Sequence, residues 1–553
     1  MSYFKKLIFF IFIFLNSTDL LCKYNFSPNL EQTESIQSLE KNNIPNSLST
    51  NYNIVAPDVN NDVKRRFTLV LQNELKDTVV QVFSEKTTFN WLEPYKSPSQ
   101  AESAGSGFFI NYKGKTYIIS NAHVVNQSKA IYIQVPRSGK RRYKLKLVGI
   151  SPERDLALLE LNDSEADILK KELNKDALPN LELGDSDLIV RADKIVALGY
   201  PLGQQSLKST TGIVSGREHI NGQYFVQTTA PLNEGNSGGP SLDKTGKVVG
   251  VNTAIFKNAN NVGYFIPINE VKHFLDQLES MPESTNNIPK LLHKPYLGIV
   301  FNNANENLTR FLGNPLPGGL YVVEIYKGSP LHKAGLQAGD MIYKINNFNI
   351  DNYGEMNLPW NTEDKVSIID YVARLKIGEK IVIEYYRNGQ KRKASFIFTQ
   401  SQRPPIRLKY PGYEEIEWIT IAGLNIMPLT LNHVALLAST FPDLIKYASS
   451  KKHMKPALII TNIMLNSPAS RSRCIGVGSI ISEVNNKKVT TLAELKEALN
   501  KTTGQYLTLK TTENIFLVIP VQEIIDSERE LAKTYVYELS DSFLNLEKKY
   551  KGK

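Results

Sequence analysis

The chain has 553 residues, 41% of them hydrophobic and 22% charged, which is the composition of an ordinary globular protein that is too long for one core. At roughly 100–200 residues per domain, we expect three or four domains. The net charge of +10 is spread along the whole chain, without a zinc-finger spacing or a basic element interleaved with aromatic residues, which argues against nucleic acid as a partner. The two cysteines, Cys22 and Cys474, are too few for a disulfide framework or a cysteine metal site.

The N-terminus has the pattern of a secretory signal peptide. Two lysines precede the apolar run Leu7–Leu15, which is too short for a bilayer that needs about 20 residues. We predict a signal peptide over residues 1–22, no stable membrane span, and a location in the periplasm or outside the cell. A buried N-terminal strand is the alternative. Residues 23–65, rich in Asn, Ser, Gln and Pro, predict a flexible lead-in.

Residues 66–282 consist of short apolar runs separated by turn residues, for example Thr78–Phe83 and Tyr117–Ser120. Many short strands at this spacing indicate an all-β barrel or sandwich. A helix at Asn269–Leu278 is expected to close this domain. The fold class is therefore predicted to be mainly β.

Two units that follow, residues 290–402 and 410–525, repeat each other. Each has strands and one clear helix, predicted at Lys365–Arg374 in the first unit and at Thr491–Leu499 in the second. Residues 526–553 show helical spacing and predict a C-terminal helical tail. The matching stretches are Ser329-Pro330 with Ser467-Pro468, and Gly339–Asn347 with Gly478–Asn486.

Three stretches contain groups that could act together in nucleophilic catalysis. Ser237 lies within Gly235–Pro240, where glycines allow backbone N–H groups to point at one spot near its hydroxyl. A serine needs an adjacent base, and His123 follows a strand-like run; an acid, Asp155, precedes another. Each residue taken alone has a structural alternative. The Ser237 stretch fits a glycine-rich turn, His123 a structural histidine, and Asp155 an aspartate in a turn. Their order, His then Asp then Ser, is that of the chymotrypsin-type triad.

Together these stretches resemble the Deg/HtrA family of serine proteases. The resemblance implies a trypsin-like protease domain of two β-barrels, followed by two α+β PDZ domains, and it covers the protease unit from end to end. In the second PDZ unit, the run Ala422–Thr430 resembles the second PDZ domain of plant-type Deg proteases. The motifs of the protease unit are Gly105–Phe108, Ser120–Val125, Asp155–Leu158, Leu198–Pro201, Gly212–Ser215, Gly235–Pro240, Gly250–Ala254 and Phe265–Pro267.

The resemblance also implies roles for individual residues. Ser237 is the expected nucleophile, His123 the base and Asp155 the group that orients it. The N–H groups of Gly235 and Ser237 are expected to form the oxyanion hole, and no cofactor or metal is expected. Two further sets are implied: a primary substrate pocket at Thr253, Ala254 and Ile255, and a carboxylate-binding loop of the first PDZ domain at Tyr296, Leu297, Gly298 and Ile299.

Several residues bear on regulation. Asn236 cannot make the ion pair that activates zymogens of trypsin relatives, so activation by N-terminal cleavage is not expected. Glu234 introduces an acid beside the expected oxyanion hole, and Asn425 argues against ordinary ligand binding by the second PDZ unit. Arg217 is a candidate relay residue, with a surface arginine as the alternative. The loops expected to order the active site are Tyr200–Thr210, Arg217–Gln223 and Phe256–Val262.

The implied function is an ATP-independent endopeptidase that degrades unfolded or damaged exported proteins under stress. It would work as a homo-oligomer, a trimer or a multiple of trimers, with unfolded polypeptides and C-terminal peptides as partners and its PDZ domains as regulators. The alternative from another class is a PDZ holdase chaperone or scaffold with weak or switched-off proteolysis. A membrane-tethered sensor protease is a third possibility that the short apolar N-terminus disfavours.

Overall fold

The structure, a computed structural model, describes residues 75–220, 222–253, 262–283, 288–399, 401, 403–448 and 452–551. The predicted signal peptide and lead-in lie outside these residues. All elements below belong to the unit Asp77–Lys553. The predicted fold class is confirmed: the chain is mainly β, with two six-stranded barrels followed by two PDZ domains.

The first barrel contains strands β1 to β6 in the order β5-β4-β1-β2-β3-β6, and pairing of β5 with β6 closes it. Its core consists of apolar side chains such as Val80, Phe109 and Ile118, all fully or almost fully buried. Asn162 caps helix α2 by accepting a hydrogen bond from the Glu165 N–H. The elements are β1 (Val79–Thr88), β2 (Ser99–Tyr112), β3 (Lys115–Ser120), α1 (Ala122–Val125), β4 (Ser128–Gln134), β5 (Tyr143–Ser151), β6 (Leu156–Leu161) and α2 (Asp163–Leu173).

The second barrel is closed in the order β10-β11-β12-β9-β8-β7. Helix α3 follows it and buries Val271, Phe274 and Leu278, so the predicted helix at Asn269–Leu278 is confirmed. A short strand, β13, then pairs in parallel with β5 of the first barrel. The elements are β7 (Lys194–Gly199), β8 (Lys208–Ile220), β9 (Gln223–Thr228), β10 (Pro240–Leu242), β11 (Val248–Thr253), β12 (Gly263–Pro267), α3 (Ile268–Ser280) and β13 (Lys290–Leu291).

The first PDZ domain, here PDZ1, contains β14 to β21, with the sheet order β14-β15-β16-β20-β21. The helix predicted at Lys365–Arg374 begins only at Ile368, because residues 365–367 belong to β19 and the Ser367 side chain caps the helix. The elements are β14 (Ile299–Asn302), α4 (Glu306–Phe311), β15 (Leu320–Ile325), α5 (Pro330–Lys333), β16 (Met341–Ile345), β17 (Phe348–Asn349), β18 (Glu355–Leu358), β19 (Asn361–Ser367), α6 (Ile368–Arg374), β20 (Lys380–Arg387) and β21 (Gln390–Ile397).

The second PDZ domain, here PDZ2, has the sheet order β22-β23-β24-β25-β27-β28. Two helices follow the sheet, and Phe543 of the second one enters the PDZ2 core. The elements are β22 (Ile419–Ile421), β23 (Leu424–Pro428), α7 (Leu431–Leu437), β24 (Leu458–Ile463), α8 (Pro468–Ser472), β25 (Ile480–Val484), β26 (Lys487–Lys488), α9 (Leu492–Asn500), β27 (Tyr506–Thr511), β28 (Phe516–Pro520), α10 (Val521–Tyr535) and α11 (Asp541–Lys551).

The repeated Asn-Asn pairs form the same hairpin turn in both PDZ domains. Asn346 and Asn347 connect β16 to β17, and Asn485 and Asn486 connect β25 to β26. All four residues have positive φ, between 46° and 71°. A tight hairpin of this kind needs positive φ at both central positions, which asparagine tolerates better than most residues.

Candidate active site

His123 and Asp155 both come from the first barrel. His123 lies on α1, directly after β3, and Asp155 lies on the turn between β5 and β6 with a φ of 54°. The Asp155 Oδ2 atom is 2.8 Å from His123 Nδ1, and its Oδ1 accepts the His123 backbone N–H at 2.9 Å. The carboxylate therefore fixes both the imidazole and the start of the helix that carries it.

Two neighbours hold Asp155 in this position. The Asn121 side-chain amide donates to the Asp155 carbonyl at 2.9 Å, and the Thr253 hydroxyl donates to Asp155 Oδ2 at 3.3 Å. Thr253 ends β11 of the second barrel, so the contact crosses between the barrels. Thr253 was predicted as a pocket residue; Ala254 and Ile255 lie outside the described residues.

Ser237 lies in the loop before β10 of the second barrel, with 5% of its surface exposed. Ser106 of β2 holds this loop from the first barrel. The Ser106 N–H donates to the Ser237 carbonyl at 2.8 Å, and its hydroxyl donates to the Gly235 carbonyl at 2.6 Å. The same hydroxyl accepts the Tyr200 N–H at 3.0 Å. One buried serine thus fixes both ends of the Gly235–Ser237 segment.

Gly238 brings the Ser237 loop close to the residues that precede His123. Its φ is 88°, and a Cβ at this position would lie 2.1 Å from the Ser106 carbonyl oxygen and 2.5 Å from the Ser120 hydroxyl. Only glycine fits, because any side chain would collide with the backbone of the first barrel. This close approach places the Ser237 loop against the Ser120–Asn121 turn.

The backbone donors around Ser237 divide into two groups. The Asn236 N–H donates to the Asn233 carbonyl at 3.0 Å, and the Gly238 N–H donates to the Asn252 carbonyl at 2.9 Å. By contrast, the N–H groups of Gly235 and Ser237 donate to no acceptor among the described residues. These two donors are therefore available to a developing oxyanion.

Lys86 lies beside the pair of His123 and Asp155 and was missed in the sequence. Its side chain leaves β1, is almost fully buried, and donates to the His123 carbonyl at 2.5 Å. Burial lowers the pKa of Lys86 to about 8, partly offset by the charge of Asp155. No local pattern marks this lysine, because its partners lie 37 and 69 positions further along the chain.

A buried arginine next to Asp155 contacts PDZ1. Arg154 is fully buried, donates to the Ala373 carbonyl of α6 at 3.2 Å, and lies 3.5 Å from the Glu270 carboxylate. Arg374 of α6 lies at the same distance from the other Glu270 oxygen. Burial would raise the pKa of Glu270, but the two guanidinium groups hold it below its usual value. PDZ1 therefore contacts the residue that precedes Asp155 in the chain.

The other residues named for regulation occupy different places. Asn236 is buried against Gly199, and Glu234 is exposed. The Arg217 guanidinium binds the carbonyls of Ser186 and Ile189 at 2.7 and 2.9 Å. Its predicted loop, Arg217–Gln223, contains the paired ends of β8 and β9, and its residue 221 lies outside the described residues, as do residues 256–261 of the third predicted loop.

The predicted PDZ1 loop precedes the edge strand β14. Gly298 has a φ of 74°, and its carbonyl accepts the Tyr326 N–H at 2.8 Å. The Tyr326 hydroxyl is hydrogen-bonded to His453 of PDZ2. Among the described residues, the N–H groups of Leu297 and Gly298 donate to no acceptor, which leaves them able to bind a carboxylate.

Within the described parts of the chain, no cluster of His, Cys, Asp and Glu side chains could hold a metal ion. The helices described above are also too short or too polar to cross a membrane.

Three family models match the chain. A trypsin-like peptidase domain matches residues 105–251, and PDZ domains match residues 295–397 and 414–542. A probable periplasmic serine endoprotease DegP-like of Marinomonas sp. (strain MWYL1) is 28% identical over 71% of this chain and 73% of its own length. The chain is a serine endoprotease with a trypsin-like peptidase domain and two PDZ domains, and it is similar to DegP-like endoproteases. The resemblance seen in the sequence is therefore confirmed, and so is the enzyme class.

A second relative of this chain carries the same printed name. The protein of Chlamydia trachomatis serovar D is 26% identical over 77% of this chain and 74% of its own length. Among solved structures, an HtrA-type protease AlgW with decapeptide is 26% identical, covering 60% of this chain and 98% of its own at a TM-score of 0.45. A serine endoprotease from Yersinia pestis is 24% identical over 60% of this chain and 97% of its own, with a TM-score of 0.40.

Proposed function

We propose that this DegP-like endoprotease degrades unfolded or damaged exported polypeptides by an acyl-enzyme mechanism without ATP. The observation that carries the proposal is the contact of the Asp155 carboxylate with His123 Nδ1, next to a serine loop that offers two unengaged backbone donors. A carboxylate on Nδ1 leaves Nε2 as the nitrogen that can accept a proton.

In the proposed mechanism, the Ser237 hydroxyl attacks the peptide carbonyl while His123 Nε2 takes its proton. The N–H groups of Gly235 and Ser237 stabilise the oxyanion, and His123 returns the proton to the leaving amine. Water then hydrolyses the acyl-enzyme by the same route. We also assign Thr253, Ala254 and Ile255 to the primary pocket, supported by the position of Thr253 beside Asp155.

Cleavage of casein by the wild-type chain and by Ser237→Ala tests the mechanism. Loss of the nucleophile should lower kcat by at least about 10⁴-fold. The exposed Ser164→Ala on α2, outside the site and its loops, is the control and should cleave at the wild-type rate. Equal cleavage by Ser237→Ala would refute the proposal. Suppression of substrate aggregation without cleavage by the wild type would favour the holdase alternative.

We further propose that PDZ1 binds C-terminal peptides at Tyr296, Leu297, Gly298 and Ile299, and that the protein works as a homo-oligomer in the periplasm. The edge position of β14 and the unengaged donors of its loop support the peptide site. The names of the relatives support the compartment. Light scattering of the intact protein should give a mass of three chains or a multiple of three; a monomer would contradict this.

A further inference from the structure

We propose that the peptide site of PDZ2 is occupied by the chain itself. Strand β22 fills the sheet edge on which a peptide would add, and the Glu528 carboxylate binds the loop that would hold the peptide's C-terminal carboxylate. The ligand class of this site is therefore an intramolecular carboxyl group. The assignment goes beyond the proposed proteolysis and does not depend on it.

The loops of the two PDZ domains are structurally equivalent. Gly298 and Gly423 have φ values of 74° and 79°. A Cβ on Gly298 would lie 2.6 Å from the Ser329 Cβ, and a Cβ on Gly423 would lie 2.1 Å from the Ser467 Cβ. Each glycine therefore packs against the serine that caps the following short helix.

The same equivalence holds for the next hydrogen bond. The Gly298 carbonyl accepts the Tyr326 N–H at 2.8 Å, and the Gly423 carbonyl accepts the Met464 N–H at 2.8 Å. Each glycine also lies directly before one of two equivalent strands, β14 in PDZ1 and β23 in PDZ2. Residues 422–424 of PDZ2 therefore correspond to residues 297–299 of PDZ1.

The strand edges differ. In PDZ1, β14 ends the sheet, and the preceding chain pairs β13 with β5 of the protease. In PDZ2, the preceding chain folds back as β22 and pairs antiparallel with β23. A peptide that augments a PDZ sheet would use this same edge of β23.

Side chains fix β22 in this place. Thr420 lies opposite Asn425, and its hydroxyl donates to the Asn425 amide oxygen at 2.6 Å. Ile419 and Ile421 on either side of it are 2% exposed and belong to the PDZ2 core. Asn425 therefore has a partner within the chain, which explains physically why it looked unsuited to an ordinary ligand.

The carboxylate position of the loop is also filled. Glu528 of α10 is fully buried, and its Oε2 accepts the Ala422 N–H at 2.7 Å. Its Oε1 accepts the Tyr537 hydroxyl at 2.9 Å. Ala422 corresponds to Leu297, whose N–H has no acceptor among the described residues. A glutamate side chain presents the same acceptor group as a peptide C-terminus.

Burial of Glu528 is unfavourable for its charge, since it raises the pKa of this carboxyl to about 7, against the opposing hydrogen bonds from Tyr537 and Ala422. The group is nevertheless directed at the loop rather than at solvent. The segment after α10 contacts both parts of the site. The Tyr537 hydroxyl donates to Glu528, and the Ser540 hydroxyl donates to the Thr420 carbonyl of β22 at 3.3 Å.

Hydrogen exchange of the full chain, in a Ser237→Ala background that prevents self-cleavage, tests this assignment. The probe is a pool of decapeptides with free C-terminal carboxylates and apolar last residues. Fragments over residues 416–428 should exchange at least about 10-fold more slowly than fragments over residues 293–303, because their N–H groups are engaged. The pool should not change exchange over residues 416–428.

Glu528→Ala should speed exchange over residues 416–428 by at least about 10-fold. The matched control, Glu530→Ala on the exposed face of α10, should leave it unchanged. If Glu528→Ala does not fold, Glu528→Gln, which keeps an acceptor oxygen, should still show no response to the pool. Slowing of residues 416–428 by the pool, or no effect of Glu528→Ala in a folded protein, would overturn the proposal. Failure of residues 293–303 to respond concerns only the proposed peptide site of PDZ1.

Discussion

PDZ1 meets the protease barrels through buried charges, whereas PDZ2 meets them through aromatic rings. In PDZ1, Arg374 and the Ala373 carbonyl enclose Arg154 and Glu270. A buried network of this kind is sensitive to the loss of any member, because the remaining charges are left uncompensated. PDZ1 is thus attached by contacts that depend on ionisation.

The PDZ2 contact is made by the β1–β2 connection of the first barrel. The ring centroid of Trp91 lies 5.1 Å from that of His433 in PDZ2, and the two rings meet edge-on. Phe89, in the same connection as Trp91, packs on the Trp91 ring at the same centroid distance. Burial lowers the pKa of His433 to about 3, so this ring is neutral near pH 7. Tyr95 lies 6.1 Å from Tyr537. One protease domain therefore holds its two PDZ domains by contacts that respond differently to pH and salt.

The largest effect is expected from Glu270→Ala. This change leaves Arg154 and Arg374 without their shared carboxylate and should lower the free energy of unfolding by roughly 3–5 kcal/mol. Urea unfolding at neutral pH measures it. Glu279→Ala, at the exposed end of the same helix, removes surface contacts with Lys113 and Tyr112 and should cost far less than Glu270→Ala. Equal losses in the two variants would show that the buried charges around Glu270 do not hold PDZ1.

The next effect is expected from Trp91→Ala, which removes a ring that is only 7% exposed. We expect a loss of roughly 3 kcal/mol in the free energy of unfolding, insensitive to salt up to 1 M, because the contact carries no charge pair. A double-mutant cycle with His433→Ala should give a coupling of about 0.5–1.5 kcal/mol. A coupling of zero would show that the two rings do not stabilise each other.

The pH dependence should have opposite signs at two carboxyl groups, Glu153 of the protease domain and Glu528 of PDZ2. Burial would raise the pKa of Glu153, but His293 and Arg403, which flank PDZ1, bring it down to about 2. A lowered carboxyl pKa stabilises the fold above pH 4.5 and loses this contribution as pH falls toward 2, about 2–3 kcal/mol in all. Glu153→Gln should therefore be less stable than wild type at pH 6 and equally stable near pH 2.

The contribution of Glu528 to the free energy of unfolding should change with pH in the opposite direction to that of Glu153. Its pKa is raised by burial to about 7, so its neutral form is favoured in the fold. Stability is then complete below pH 4.5 and falls as pH rises through 7, by about 2–3 kcal/mol. Urea unfolding should find Glu528→Gln no more stable than wild type at pH 4 and more stable at pH 8. A variant less stable than wild type at pH 8 would show that the charged form is the favoured one.

The smallest effect is expected from Arg191→Ala. Arg191 pairs with Asp364 of PDZ1 at 2.6 Å, but its side chain is 47% exposed. An exposed pair of this kind contributes little to the free energy of unfolding and is screened by salt. Unfolding at low and high salt should give a small difference that disappears at 1 M. A loss in the free energy of unfolding as large as that of Glu270→Ala would mean that exposed ion pairs, rather than buried charges, hold PDZ1.

Sequence patterns were sufficient for the order of the elements and for the family. Short apolar runs predicted an all-β barrel or sandwich, and the internal repeat predicted two related units, because both signals are local or periodic. The two barrels and the PDZ domains were implied by the resemblance to the Deg/HtrA family. The order of His123, Asp155 and Ser237 singled out the three residues, and the structure joins His123 to Asp155 through a contact of 2.8 Å. The catalytic role of Ser237 stays a prediction. The helix start at Ile368 was wrong by three residues, since capping by Ser367 outweighed the helical pattern before it.

Other residues could not be found in this way. Ser106 bonds to a loop 129 positions away, and Lys86 bonds to a carbonyl 37 positions away, and neither stands in a pattern of its own. The pairing of Ala422 with Glu528 spans 106 positions and joins a loop to a helix that looked like a separate tail. Contacts of this kind depend on the packing of whole domains, which no local window contains.

Strand β2 joins two places that are far apart. It begins at Ser99, just after the connection that holds Trp91 and Tyr95 against PDZ2, and it carries Ser106 to the Ser237 loop. Seven residues of extended strand separate Ser99 from Ser106, about 23 Å at 3.3 Å per residue. A paired strand is stiff along its axis. One paired strand therefore connects the rings that contact PDZ2 with the serine that holds both ends of the Gly235–Ser237 segment.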